Sequence, residues 1–233
     1  MISSLQPQGQ HYTNAAAIFF ENAKKFPERL ALVIPQMEGS SCKGEERITY
    51  AELLRKVSFY QQGWQRLGYK RGDRVVLLMR PSIELYASVI SLFSIGVIPV
   101  FIDTGMSRDK IEMALEDSKA RAIIGVRKLL QFFWLFPALR RMERYCVEGA
   151  GIGYRDVREI VAGISEFIPP HAVVCTQWDH GLISFTSGST GRPKGADRTH
   201  FSLLEQHYAL SDHWPEIPEE IDCNCFPVMV LHN

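Results

Sequence analysis

The sequence predicts an α/β fold, a doubly wound and mainly parallel sheet with helices on both faces. Three observations predict it. Short runs dominated by Val, Ile and Leu recur at residues 74–79, 97–102, 122–126 and 181–185, and runs of that length fit buried strands. The segments between them carry apolar residues at helical spacing. Strands that are apolar on both sides and alternate with helices belong to a parallel sheet covered on both faces.

The elements follow in order. Asn14 stands where it can cap a helix over residues 15–25, and Phe26-Pro27 stops that helix. Residues 30–35 read as a strand, the polar stretch 36–46 as a loop, and 47–49 as a short strand. From Tyr50 the period changes, and Leu53, Leu54, Val57, Trp64 and Leu67 fall on one helical face. Thr49 followed by Glu52 is a capping-box pattern, and Gly68 is placed to end the helix. Then come a strand (74–79), a helix (82–95), a strand (97–102) and a helix (107–118) with Ile111, Ala114 and Leu115 inward. A strand (122–126) and a helix (128–142) follow. Strand 181–185 comes next, and Thr199 is placed to cap a further helix in which His200 reads as structural. Residues 85–102 are uncharged and long enough to span a bilayer, but the pattern breaks at Gly96, so they read as a buried helix followed by a buried strand.

Composition narrows the function. Acidic and basic residues balance at 26 each, which excludes the electrostatic footprint of a nucleic-acid binder. The five cysteines are scattered, and Cys223-Asn224-Cys225 has no second pair to complete a metal site. They read as reduced thiols. The N-terminus carries no basic-then-apolar signal pattern, so the expected compartment is the cytoplasm.

The chemistry concentrates in residues 186–195, Thr-Ser-Gly-Ser-Thr-Gly-Arg-Pro-Lys-Gly. Glycines allow close backbone approach and φ > 0, and clustered N–H groups in such a turn form an anion nest. Thr186, Ser187, Ser189 and Thr190 add hydroxyl donors, Gly188 and Gly191 add backbone donors, and Lys194 adds a point charge. The group such a loop would cradle is a phosphate chain. It is not a P-loop, because Pro193 rather than glycine precedes Lys194. It is not a dinucleotide fingerprint either, because the first glycine is missing.

This stretch resembles the phosphate-binding signature of the acyl-adenylate-forming (AMP-binding) superfamily, which includes acyl-CoA ligases, luciferases and peptide-synthetase adenylation domains. Two upstream segments resemble further superfamily motifs in the expected order. They are Ile-Thr-Tyr-Ala-Glu-Leu at 48–53 and Ser-Ile-Gly-Val-Ile-Pro-Val-Phe-Ile-Asp at 94–103. Residues 79–82 and 101–108 look most like the fatty-acyl-CoA-ligase-like branch, which contains the β-lactone synthetases of long-chain olefin biosynthesis.

The resemblance implies ATP-dependent activation of a carboxylic acid as an acyl-adenylate, and the branch implies a long-chain acid. The acyl group would then pass to CoA or to the substrate's own hydroxyl. It also implies Mg²⁺ accompanying the ATP. The segment Phe-Pro-Val-Met-Val-Leu-His at 226–232 is similar to a following motif that shapes the acyl pocket. The motif position holds Val230, and the candidate pocket residue His232 stands two residues later. Residues 1–233 are therefore expected to form a partial N-terminal AMP-binding domain. The acidic metal motif, the ribose-binding aspartate and the mobile C-terminal domain of such enzymes have no counterpart in these residues. The alternative is a remnant or interaction module that keeps the fold without adenylating.

Residues 129–136, Leu-Leu-Gln-Phe-Phe-Trp-Leu-Phe, are flanked by Arg127, Lys128, Arg140, Arg141 and Arg144. They read as a core helix with basic ends. Contact with an anionic bilayer or a role in lining an acyl-chain path are the alternatives.

Overall fold

A computed structural model describes residues 13–39, 41–103, 105–187 and 191–214. Among the described residues seven strands form the main sheet, in the order β7-β6-β5-β3-β4-β8-β9. They are β3 (Arg74–Leu78), β4 (Ile98–Ile102), β5 (Ala122–Gly125), β6 (Glu143–Cys146), β7 (Arg155–Asp156), β8 (His180–Thr186) and β9 (Lys194–Thr199). Among these described strands all pairings are parallel except that of β9, which runs antiparallel to β8 at the edge.

Successive side chains of the central strands enter two separate cores, as the pleat requires. On one face Val75, Leu77, Phe101, Ile124 and Leu182 pack with Leu53, Val57 and Trp64 of α2 (Tyr50–Arg66) and Leu85 and Leu92 of α3 (Ile83–Ser94). On the other, Val76, Val100, Ile102, Ile123 and Phe185 pack with Ala114 and Leu115 of α4 (Arg108–Ser118). The expected burial of residues 85–102 follows from this arrangement, and no described helix is long and apolar enough to cross a membrane.

The chain enters through α1 (Ala16–Lys25). The Asn14 side chain accepts from the Ala16 N–H at 3.0 Å and donates to the Phe93 carbonyl at 2.8 Å, so it caps α1 and ties it to α3. The Thr49–Glu52 capping box forms as expected, with the Thr49 N–H donating to the Glu52 carboxylate at 2.9 Å.

Two sequence expectations are corrected. Residues 36–46 are not a loop: β1 (Leu30–Glu38) and β2 (Ser41–Thr49) form one antiparallel hairpin outside the main sheet. Most of its outer residues are exposed, so the ladder is built from polar residues whose composition is that of a loop. Residues 128–142 are not one helix. They divide into α5 (Arg127–Leu130), a 3₁₀ turn (Phe133–Leu135) and α6 (Pro137–Arg140). Pro137 separates the 3₁₀ turn from α6: the residue before it, Phe136, is driven to an extended φ of −121° and ψ of 97°, and proline then opens α6 at a position where no N–H is required. Strands β6, β7 and β9 are additions to the sequence-based pattern.

Candidate functional site

The winding direction reverses at the centre of the sheet. From β3 the chain crosses by α3 to β4, and from β4 it returns by α4 across β3 to β5. The helices after β3 and β4 therefore leave on opposite faces, which opens a crevice beyond the carboxyl ends of these two neighbours. β8 lies beside β4 with Ile102 opposite Phe185, so the two strands end together. The Asp103 N–H donates to the Phe185 carbonyl at 3.1 Å, and the Asp103 carboxylate accepts from the Gly105 N–H at 2.8 Å. The hydroxyl-rich segment begins at this point. Residues 181–185 are buried, and Thr186 and Ser187 emerge into solvent.

The chain returns in β9, with Thr186 opposite Lys194. Directly opposed residues on antiparallel strands project to the same face, so the Thr186 hydroxyl and the exposed Lys194 ammonium leave the mouth of one hairpin together. Gly191 has φ +88°, a left-handed conformation that favours glycine, and the space around it is open. Arg192 forms two hydrogen bonds to the Asp117 carboxylate of α4, at 2.8 and 3.2 Å, which anchors the loop to the helix on its side of the crevice. Gly188, Ser189 and Thr190 lie outside the described residues, as do His232, the 226–231 segment and the Cys223–Cys225 pair.

Two residues beside the loop carry roles that motif reading missed. Gly195 stands opposite Phe185, and a Cβ there would lie 3.1 Å from the Phe185 ring. This glycine makes room for a core side chain. The Arg192–Asp117 pair was likewise unread, because its partners stand 75 positions apart.

The two histidines near the loop's return strand are structural. Thr199 caps α7 (His200–His213), its hydroxyl accepting from the Ser202 N–H at 3.1 Å. His200 is fully buried, its Nδ1 accepts from the Ala15 N–H at 3.2 Å, and its ring meets Phe93 edge-on. Burial holds its pKa down to about 4, against the opposing pull of Asp179. His180 pairs with Asp197 across the hairpin. A cavity of about 40 Å³ touches His200, Cys175, Ile98 and His180. It lies at the amino ends of β4 and β8, the opposite edge of the sheet from the loop, and has room for only a few waters.

The model of the AMP-binding enzyme family matches residues 19–229. The chain belongs to that family. It is 29% identical over 229 residues to an olefin beta-lactone synthetase of Xanthomonas campestris pv. campestris, covering 94% of this chain and 40% of that protein. Among solved structures, a Rhodopseudomonas palustris protein assigned as a long-chain-fatty-acid CoA ligase superposes with a TM-score of 0.79 at 22% identity, covering 94% of this chain and 52% of that one. An anthranilate CoA ligase solved with anthranoyl-AMP superposes with a TM-score of 0.70 at 22% identity, covering 90% and 38%. These likenesses show the fold to be that of the N-terminal part of adenylate-forming enzymes. The chain spans about 40% of the length of the β-lactone synthetase it matches.

Proposed function

We propose that this AMP-binding enzyme chain supplies the triphosphate-gripping part of a machine that activates a long-chain carboxylic acid as its acyl-adenylate. The observation that carries the reading is the hairpin mouth, where Thr186 and Lys194 emerge on one face at the carboxyl edge of the sheet. In this reading residues 1–233 are a partial N-terminal AMP-binding domain, and Thr186, Ser187, Gly188, Ser189, Thr190, Gly191 and Lys194 form the phosphate loop.

A carboxylate oxygen of the acid bonds to the α-phosphorus of ATP as the bond to the bridging oxygen breaks, and pyrophosphate departs. Displacement of this kind depends mainly on positioning and charge stabilisation. Hydroxyl and backbone donors hold the β- and γ-phosphates in line, and Lys194 offsets charge gathering on the leaving pyrophosphate. A thiol of CoA or a β-hydroxyl of the same substrate then bonds to the acyl carbon, and AMP departs. The described residues contain no group of three His, Cys, Asp or Glu side chains that could hold a metal. This part of the chain thus offers no protein cage for Mg²⁺, and the ion would come with the nucleotide phosphates. His232 as an acyl-pocket residue, and a cytoplasmic location, belong to the same reading.

The test is ATP–pyrophosphate exchange by the full-length polypeptide with a panel of fatty and β-hydroxy fatty acids. Exchange is expected with long-chain members, and Lys194→Ala together with Ser189→Ala lowers it by at least ~100-fold, the scale of losing a charge-stabilising donor. ATP binding with no exchange for any acid would leave an interaction module and overturn the proposal.

A further inference from the structure

The aromatic segment that interrupts the expected 128–142 helix faces outward. Phe132, Trp134 and Leu135 are 43%, 49% and 41% exposed, although Leu130, Phe136 and Leu139 on either side are buried. A second projection stands beside them. The turn at 151–154 presents Ile152, which is 92% exposed. Arg144 clamps the two together: its Nε donates to the Gly153 carbonyl at 2.6 Å, and its guanidinium lies 4.4 Å from the centre of the Phe133 ring. A Cβ on Gly153 would lie 2.5 Å from that same ring, so the turn is seated directly on the aromatic segment.

The charge along this segment is almost all of one sign, and the Glu112 and Glu148 carboxylates that reach it accept from backbone N–H groups of Ala138 and Arg127. Residues 127–144 contain Arg127, Lys128, Arg140, Arg141 and Arg144 against the single acid Glu143, in a chain whose formal net charge is zero. Glu143 is engaged by Arg121 and Arg155. Arg140 and Arg108 donate to the Trp134 and Leu135 carbonyls, at 2.5 and 2.6 Å, and a carbonyl leaves their charge unneutralised. Among the described residues neither Lys128 nor Arg141 has a carboxylate partner, and both are exposed.

We infer that this surface docks the protein on the face of an anionic lipid bilayer, with Trp134, Phe132, Leu135 and Ile152 entering the headgroup boundary and the surrounding cations meeting lipid phosphates. Charge complementarity selects this occupant. A protein groove that buried the four apolar tips would also have to desolvate the surrounding guanidinium and ammonium groups, at a cost. A bilayer surface takes the apolar tips into its boundary while the cations stay hydrated beside anionic headgroups. The inference is independent of the acyl-activation reading.

The test is co-flotation of the full-length polypeptide with vesicles of phosphatidylglycerol and phosphatidylcholine mixtures. Binding should rise with the phosphatidylglycerol fraction and fall as salt rises from 0.05 to 0.5 M, on the order of tenfold or more across that range; these two trends need no variant. The pair Trp134→Ser and Ile152→Ser, and separately Lys128→Glu and Arg141→Glu, should each cut binding by about tenfold or more. The circular-dichroism melting curve and ATP affinity should not move. Wild-type protein that fails to float with phosphatidylglycerol, or floats equally with pure phosphatidylcholine, overturns the inference. So does self-association that the same variants abolish, since a second copy would then cover the surface.

Discussion

At the scale of single residues, two glycines that look alike in the motif do different work. Gly191 adopts φ +88° in open space, whereas Gly195 lies under the Phe185 ring with no positive φ. Valine at 191 meets no atom, but it cannot keep that backbone conformation cheaply, so the exposed loop changes shape. Valine at 195 drives into a core aromatic that is 6% exposed. We expect Gly191→Val to abolish ATP binding with the urea midpoint nearly unchanged. Gly195→Val should cost about 1–3 kcal/mol of stability, the scale of overpacking. Calorimetric ATP titration and urea unfolding of both variants check the contrast. Equal destabilisation by the two would refute the division of roles.

At the scale of elements, the loop is held at both ends, by the β8–β9 ladder and by the Arg192–Asp117 pair to α4. The pair is exposed, so it bears on loop geometry rather than on global stability. Arg192→Asp should weaken ATP binding several-fold without moving the melting temperature, and the exchanged pair Arg192→Asp with Asp117→Arg should recover most of it. A failure of the exchange to recover affinity would show that Arg192 contacts the nucleotide itself. Such long-range pairs were illegible in the sequence, where Asp117 is one more polar residue on a helix. What was legible had local causes. Strands β3, β4, β5 and β8 announced themselves because both of their faces are apolar, and α2 because Thr49 and Glu52 meet at fixed spacing. β9 escaped because an edge strand reading Lys-Gly-Ala-Asp-Arg-Thr carries charges that suit an exposed edge, and so it looks like a loop. The 128–142 helix misled because its apolar content outweighed one proline. At the candidate site the phosphate-loop reading rested on residue order, while the positions of Thr186 and Lys194 across one hairpin required the register.

At the scale of the whole molecule, His200 joins three helices that are distant in sequence. It opens α7, accepts from the backbone at the start of α1, and stacks edge-on with Phe93 of α3. Burial lowers its pKa to about 4, with Asp179 pulling upward and Arg71 downward, from an ordinary value of 6.5. The sign follows from linkage: the unfolded chain takes up a proton below pH 6.5, and the folded chain resists until about pH 4. The stability associated with neutral His200 is therefore intact above pH 6.5, falls as pH drops through that window, and stops changing below about 4. Asp179, held down to about 2, titrates below this range. Between pH 7 and pH 5 the histidine alone should remove on the order of 2 kcal/mol. His200→Gln keeps an oxygen able to accept from the Ala15 N–H but cannot titrate. Urea unfolding at both pH values should show wild type losing more stability than the variant by about that amount. A variant that loses just as much would mean that the acid sensitivity resides elsewhere and that the junction of α1, α3 and α7 is indifferent to the charge at its centre.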